Sequence, residues 1–344
     1  MTTAEVVLRC AELKPTLDFF VDRLGFRVEL IFPADEPKVA SLSGHGLRIR
    51  LEPGAGDAGL IRLPVAELPA GDRVLTAPNG TRIEYVLADP PFDLPTLVEE
   101  FVLSRAGGDA AEGRAGMIYR DLIPSRLGGR FIASLISIPE GGPVADWVHF
   151  HKVRFQMIFC RRGWVKVVYE DQGEPFVMHP GDCVLQPPRI RHRVLEASPG
   201  LEVVEIGCPA LHETLADHDM ALPNSRIDPS RDFEGQRFMR HVAADAPWQG
   251  AGEGFERQAT TMSAATAGLA DVQIYRPAGG DRLAFPAHRG ELCFNVVLEG
   301  SARLESGGGF ALGPADAFVI PSGEDWALGD CSPALRLLQV SIPD

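Results

Sequence analysis

The feature that most restricts this fold is a repeat. The stretch SIPEGGPVADWVHFHKVRFQMIFCRRGWVKVVYE, residues 137–170, parallels YRPAGGDRLAFPAHRGELCFNVVLEGSARLES, residues 275–306. VMHPGDCVLQPPRIRHRVL, 177–195, parallels ALGPADAFVIPSGEDWALG, 311–329, in the same order. A unit that recurs at this length is one supersecondary structure built twice. Within each copy the apolar runs are short and broken by Gly and Pro, of which the chain has 36 and 28. Short alternating strands with such turns predict two small closed β-barrels.

Anchoring the copies on Gly163 and Gly300 places His288 under His151, Cys293 under Gln156, Pro286 under His149 and Trp326 under His192. The first copy therefore carries a polar constellation that the second has largely lost.

The rest of the chain sets the domain plan. At 344 residues it is too long for one ordinary core. Ahead of the repeat, ELKPTLDFFVDRLGF places Leu13, Leu17, Phe20, Val21 and Leu24 on one helix face, and Gly25 ends it. That helix sits between strand-like EVVLRC and FRVELIF, followed by KVASLSG and LRIRLEP, a β-α-β-β-β order. The expected division is a first domain at 1–98, a small-residue linker at 99–116, barrel one at 117–211, a linker of helical turn and loop at 212–240, and barrel two at 241–344.

Composition excludes several functions. The formal net charge is −14, and nucleic-acid binding by counter-ion release needs clustered Lys and Arg. No apolar run nears the roughly 20 residues of a bilayer span, and the first 25 residues lack a basic then apolar secretion signal. A cytoplasmic protein with neither a nucleic-acid nor a membrane partner is expected. The six cysteines form no C-x-x-C pair and read as buried, reduced thiols.

The chemistry gathers around HFHKVRFQ, 149–156, and PPRIRHRV, 187–194. Side chains on a strand alternate faces, so His149 and His151 point the same way, about 6.6 Å apart. Gln156 has the wrong parity for a continuous strand. It joins them only if the chain turns at 152–154 and pairs back as a neighbouring strand. His192 would arrive on another strand of the same barrel. Three imidazoles and an amide oxygen would then converge, a donor set that suits one divalent transition metal such as Zn, Fe, Mn or Ni. Arg189 and Arg191 are candidates to clamp an anionic substrate, with Trp147 and Arg154 as residues of the mouth. No catalytic base stands out, and Tyr169 and Glu170 are expected to face solvent. HETLADH, 212–218, imitates a zinc motif, but on a helix its two histidines stand about 240° apart and cannot share an ion.

These residues resemble the cupin superfamily, and the duplication resembles a bicupin. The superfamily's first motif, G-x5-H-x-H-x3-4-E-x6-G, is matched by His149, His151, Gln156 and Gly163; its second, G-x5-P-x-G-x2-H, by Gly181, Pro187 and His192. Gln156 stands where glutamate is usual, and Arg189 where glycine is usual. The resemblance implies a mainly β protein with two double-stranded β-helix barrels and a metal at His149, His151, Gln156 and His192. Barrel two keeps only His288 and Cys293 of the four positions and is expected to be metal-free. Residues 1–98 resemble a truncated vicinal-oxygen-chelate domain, the glyoxalase and bleomycin-resistance fold. Glu5, Glu52 and Glu84 lie at its strand positions without an imidazole, so this α+β module is expected to be inert.

A neutral amide keeps the full charge of a divalent ion, a strong Lewis acid for a carboxylate, enolate or keto oxygen. Cupins with three histidines and a glutamine include uronate-linearising and polyketide-cyclising members, whereas the dioxygenases more often show glutamate. The expectation is a metal-dependent enzyme acting on a small anionic or oxygen-rich molecule by isomerisation, cyclisation or lyase chemistry. The alternatives are a dioxygenase using Fe(II) or another redox metal, and a non-catalytic small-molecule binder. Cupin barrels commonly pair through sheet faces, so the resemblance also implies either a homodimer or a pairing of the two barrels within one chain.

Overall fold

The computed structural model describes residues 4–33, 37–306 and 308–343. It divides into two units, Met1–Pro91 and Phe92–Asp344.

The first unit has the β-α-β-β-β order read from its periodicity. Strand Val6–Cys10 leads to helix Leu13–Asp18, which widens into a π-helical turn at Phe19–Arg23. Strands Arg27–Phe32, Val39–Gly44 and Leu47–Pro53 complete a four-stranded sheet whose first and last members pair in parallel. Phe20 and Leu24 are buried against Leu42, Ile49 and Leu51, while Leu13, Leu17 and Val21 pack at the margin. The apolar helix face thus covers the sheet, as its spacing requires. Strands Leu60–Val65, Val74–Thr76 and Arg82–Leu87 form a separate three-stranded sheet with no helix between them.

The second unit holds two barrels, each made of two sheets. In barrel one a seven-stranded sheet faces a six-stranded one; in barrel two a seven-stranded sheet faces a four-stranded one. The two large sheets pack on each other. In strand Phe155–Arg162, the side chains of Phe155, Met157 and Phe159 enter this shared core, while Cys160 and Ile158 turn into barrel one. In strand Leu292–Glu299, Leu292, Phe294, Val296 and Leu298 enter the shared core, while Cys293 and Val297 turn into barrel two. Sheets covered on both faces need strands rich in apolar residues, and these two have five and six in eight. Each fully buried Phe, Met or Leu here contributes about 1.5–3 kcal/mol.

Both expected linkers carry structure. In the 99–116 segment, strand Val102–Ser104 joins the large sheet of barrel two through Ala317–Val319. In the 212–240 segment, strand Met239–His241, ending one residue beyond it, joins the large sheet of barrel one through Cys183–Leu185. Each barrel therefore has an edge strand from the segment preceding the other, which covers an edge that would otherwise be open. The expected helical turn after His212 is instead strand Thr214–Ala216, paired with His149–His151. All six cysteines are buried and free. No helix among the described residues is long and apolar enough to cross a membrane.

Candidate metal centre

His149 and His151 occupy alternate positions of strand His149–His151 and leave it on one face. His149 is the antiparallel partner of His192, the first residue of strand His192–Ala197. Directly opposed residues have Cβ atoms about 4.5–5.5 Å apart, so register alone brings the third imidazole to the pair. Ring centroids are 4.2 Å apart for His149 and His192, 5.3 Å for His149 and His151, and 5.4 Å for His151 and His192. One ligand atom from each lies within 4.8 Å of the others, and all three residues are buried.

The hydrogen bonds settle which nitrogen faces a ligand. Nδ1 of His149 lies 2.8 Å from the Trp147 carbonyl, Nδ1 of His192 3.0 Å from that of Ile190, and Nδ1 of His151 3.2 Å from that of Glu213. A carbonyl only accepts, so each Nδ1 carries the proton and each Nε2 keeps a lone pair. Metal-binding imidazoles are oriented in this way. Burial, then the positive Arg114, lowers the pKa of His149. Burial, then His212 and His149, takes His151 down to about 3. Burial, then His149 and His151, takes His192 well below its ordinary value. Three neutral, fixed and converging nitrogens fit a divalent transition metal by the chemistry of the donor set.

Gln156 reaches the barrel by another route than the expected one. Residues 152–154 carry the chain from the sheet of His149 to the facing large sheet, and strand Phe155–Arg162 does not pair with His149–His151. Its parity, shared with Ile158 and Cys160, turns Gln156 to the interior, where it is 1% exposed. Its Nε2 donates to Glu205 Oε1 at 2.7 Å.

The expected substrate residues sit elsewhere. Arg154 bonds Glu291 at 2.8 Å, and Arg130 bonds the same carboxylate at 2.6 Å, tying the barrels together. Arg191 alternates away from His192, pairs with Asp217 at 3.1 Å and lies over Phe150. Arg189 bonds Glu234 at 2.7 Å from a turn with φ of 62°. That left-handed conformation is why glycine is usual there. Trp147 meets His149 edge-on at 5.4 Å and braces it. None of these four lines the cavity over the histidines.

That cavity, of about 270 Å³, is walled mainly by Ile, Val, Leu and Met side chains. Beside the three histidines, its polar lining and their partners include groups that the sequence did not reveal. Arg114, from the supposed linker, lies 3.1 Å from His149 Nε2 through Nη2 and also bonds Asp146. Asp146, fully buried as a side chain, further accepts from the backbone N–H of Trp147 and Val194. Tyr169, expected at the surface, is buried, stacks on His192 and accepts from Gln186 Nε2 at 2.8 Å. Burial raises its pKa. Glu170 is buried too, paired with Arg231 at 2.6 Å. His212, set aside because of its spacing, meets His151 edge-on at 5.2 Å and lines the cavity, because the segment is extended and not helical. His218 lies against Trp147. The only sequence signal for Tyr169 was its place in an alternating apolar run; for Arg114 there was none.

The comparisons agree with this geometry. Residues 134–206 match the family model of the cupin domain. The barrel with the histidines is cupin-like. Among solved structures, salicylate 1,2-dioxygenase from Pseudaminobacter salicylatoxidans is similar at a TM-score of 0.55 and 16% identity, covering 72% of this chain and 86% of its own. The protein Ylba from E. coli, of family DUF861, gives 0.53 and 10%, covering 73% and 95%. A putative glyoxylate induced protein from Pseudomonas aeruginosa gives 0.53 and 13%, covering 74% and 93%. At these identities the likeness is one of fold. No curated protein matches the sequence.

In barrel two the corresponding space is filled. Phe285 pairs with Trp326 in the register that His149 and His192 have in barrel one. The strand pairing thus puts Phe285, and not Pro286, in the place of His149. The two rings stack at 4.0 Å and 7°. His288 Nε2 bonds the Ile320 carbonyl, and burial pushes the Cys293 thiol up to about 11, away from the thiolate a metal needs. In the first unit, Glu5 pairs with Arg48, Glu52 with Arg9 and Arg50, and Glu84 with Arg62 and Arg82.

Proposed function

We propose that the protein is a mononuclear metal-dependent cupin enzyme whose first barrel transforms a small molecule with an apolar body and an anionic or oxygen-rich end. The observation that carries this reading is the trio of neutral imidazoles, each oriented by a backbone carbonyl, under an apolar cavity. His149, His151 and His192 would hold the ion, with Gln156 as the fourth donor. A bound Zn, Fe, Mn or Ni would polarise a ligand oxygen. Arg114 Nη2 lies on the His149 Nε2 lone pair that an ion would take; displaced from it by the ion, the guanidinium would be free to receive a carboxylate or enolate, in the role first given to Arg189 and Arg191. Asp146 keeps that guanidinium in place. Tyr169 Oη accepts from Gln186 Nε2, which leaves its own O–H to donate to a bound molecule. The apolar walls exclude water, which strengthens each of these contacts.

Four neutral donors favour redox-neutral isomerisation, cyclisation or lyase chemistry. A second reading, oxygenation with Fe(II), is supported by the apolar cavity and by the similar fold of a salicylate 1,2-dioxygenase variant solved in complex with gentisate. Elemental analysis of the purified protein, joined to an oxygen-uptake assay over a panel of small aromatic and keto acids, decides between them. Turnover without oxygen consumption is expected; stoichiometric uptake replaces the first reading by the second. Ligand-induced stabilisation with no turnover under any metal makes the protein a binder. The first unit we read as a truncated vicinal-oxygen-chelate-like module, supported by its element order, with arginines occupying the glutamates that a metal would use.

A further inference from the structure

The usual glutamate is absent from the fourth donor position, yet a carboxylate has not left the barrel. Glu205 sits on strand Leu201–Cys208 directly opposite Ile158, lines the cavity, and accepts the Gln156 amide at 2.7 Å. A carboxylate only accepts. The Gln156 nitrogen must therefore face Glu205, and its oxygen is turned away from it. Of the two arginines that line the same cavity, Arg114 bonds Asp146, and Arg193 leaves its buried Nε without a hydrogen bond. Among the described residues, no lysine or arginine forms an ion pair with Glu205. Glu205 is half-buried and faces the cavity, and an ion at the three histidines would set a positive charge in the same cavity.

Barrel two provides the control within the same chain. There Asn295 is opposite Gln339, as Ile158 is opposite Glu205, and Cys293 replaces Gln156. Gln339 Nε2 donates to Asn295 Oδ1 at 3.1 Å, an uncharged contact. The interior carboxylate occurs in the barrel that has the histidines.

We propose that Glu205 is the positioning residue and charge partner of the metal site. It fixes the amide of Gln156 with the oxygen free to ligate, and it supplies from one residue further out the negative charge that four neutral donors lack. This rests on the metal reading above. It makes the pair a glutamate ligand in two parts.

The test is Zn(II) titration of the full-length protein against a chromophoric chelator, with thermal stability measured beside it. The wild type binds one Zn(II) and His149→Ala does not, which tests the metal reading by itself. Glu205→Gln weakens binding by about 10–100-fold, the range for partners that orient a ligand. The exchange Gln156→Glu with Glu205→Gln keeps one amide, one carboxylate and the hydrogen bond between them. It restores affinity to within about threefold of wild type, a rescue that a merely structural role would not produce. Wild-type affinity in Glu205→Gln, with His149→Ala still inactive in binding, overturns the proposal and leaves the metal site standing. If Glu205→Gln is too unstable to purify, the exchanged pair decides alone: a loss beyond about tenfold overturns the proposal.

Discussion

Two barrels of one chain place different pairs at the same crossing of strands. In barrel one His149 faces His192; in barrel two Phe285 faces Trp326. The first pair presents nitrogen lone pairs to a cavity, and the second closes its barrel with a parallel aromatic stack. The scaffold is the same in both: a large sheet against the shared core, a smaller sheet opposite, an edge strand received from elsewhere in the chain. What differs is the content of a few interior positions. A barrel interior can be filled by packing or left as a polar cavity, and the choice costs different things. Filling contributes apolar burial; a cavity with three imidazoles gives up that burial and gains a site.

The comparison can be broken at several points. The largest effect is expected for His149→Ala or His192→Ala, which should abolish stoichiometric metal, whereas His288→Ala should leave the metal content unchanged in elemental analysis. Metal lost on altering His288 would mean that barrel two also binds. Next, Trp326→Ala should cost about 3–5 kcal/mol in denaturant unfolding through the cavity it leaves, while His192→Phe should lose metal with little loss of stability. Third, acid should act through barrel one. Its histidines have folded pKa values below the ordinary 6.5, about 3 for His151. The folded state keeps them neutral while the unfolded chain takes up protons, so their contribution is intact above pH 6.5 and declines as pH falls toward 3. Metal-free protein should lose stability between pH 7 and 5.5, with about 1 kcal/mol of the loss from His151. A variant with all three replaced by Phe should show a flatter urea-midpoint profile. The smallest effect is expected for Arg189→Gly, which relieves a left-handed φ of 62° and should add about 1 kcal/mol, less what the Glu234 contact contributes.

Much of the architecture was legible because it rests on periodicity. The repeat, the period-two strands and the helix face of Phe20 and Leu24 are local patterns, and a strand's parity carries His149 and His151 to one side without further information. Gln156 shows where that reasoning ends. Its parity was read correctly, but the chain between 152 and 154 crosses to the facing sheet and does not fold back on its neighbour. His212 was lost to an assumed helix: the same seven residues, extended, bring it beside His151. The basic cluster around His192 looked like an anion clamp because charge is visible in sequence and direction is not. Arg189 and Arg191 are engaged by Glu234 and Asp217 on the outer side of the site.

The sequence by itself determined the doubling of the barrel, the strand that carries two histidines, and the loss of their counterparts in the second copy. Those follow from residue type and spacing along one chain. Only the tertiary structure decided that Arg114 stands at His149, that Glu205 holds Gln156, and that strands from both supposed linkers complete the sheets. Such contacts join residues 35 and 49 positions apart. Their partners are chosen by sheet register and by the crossing of the chain between layers, which no local pattern encodes.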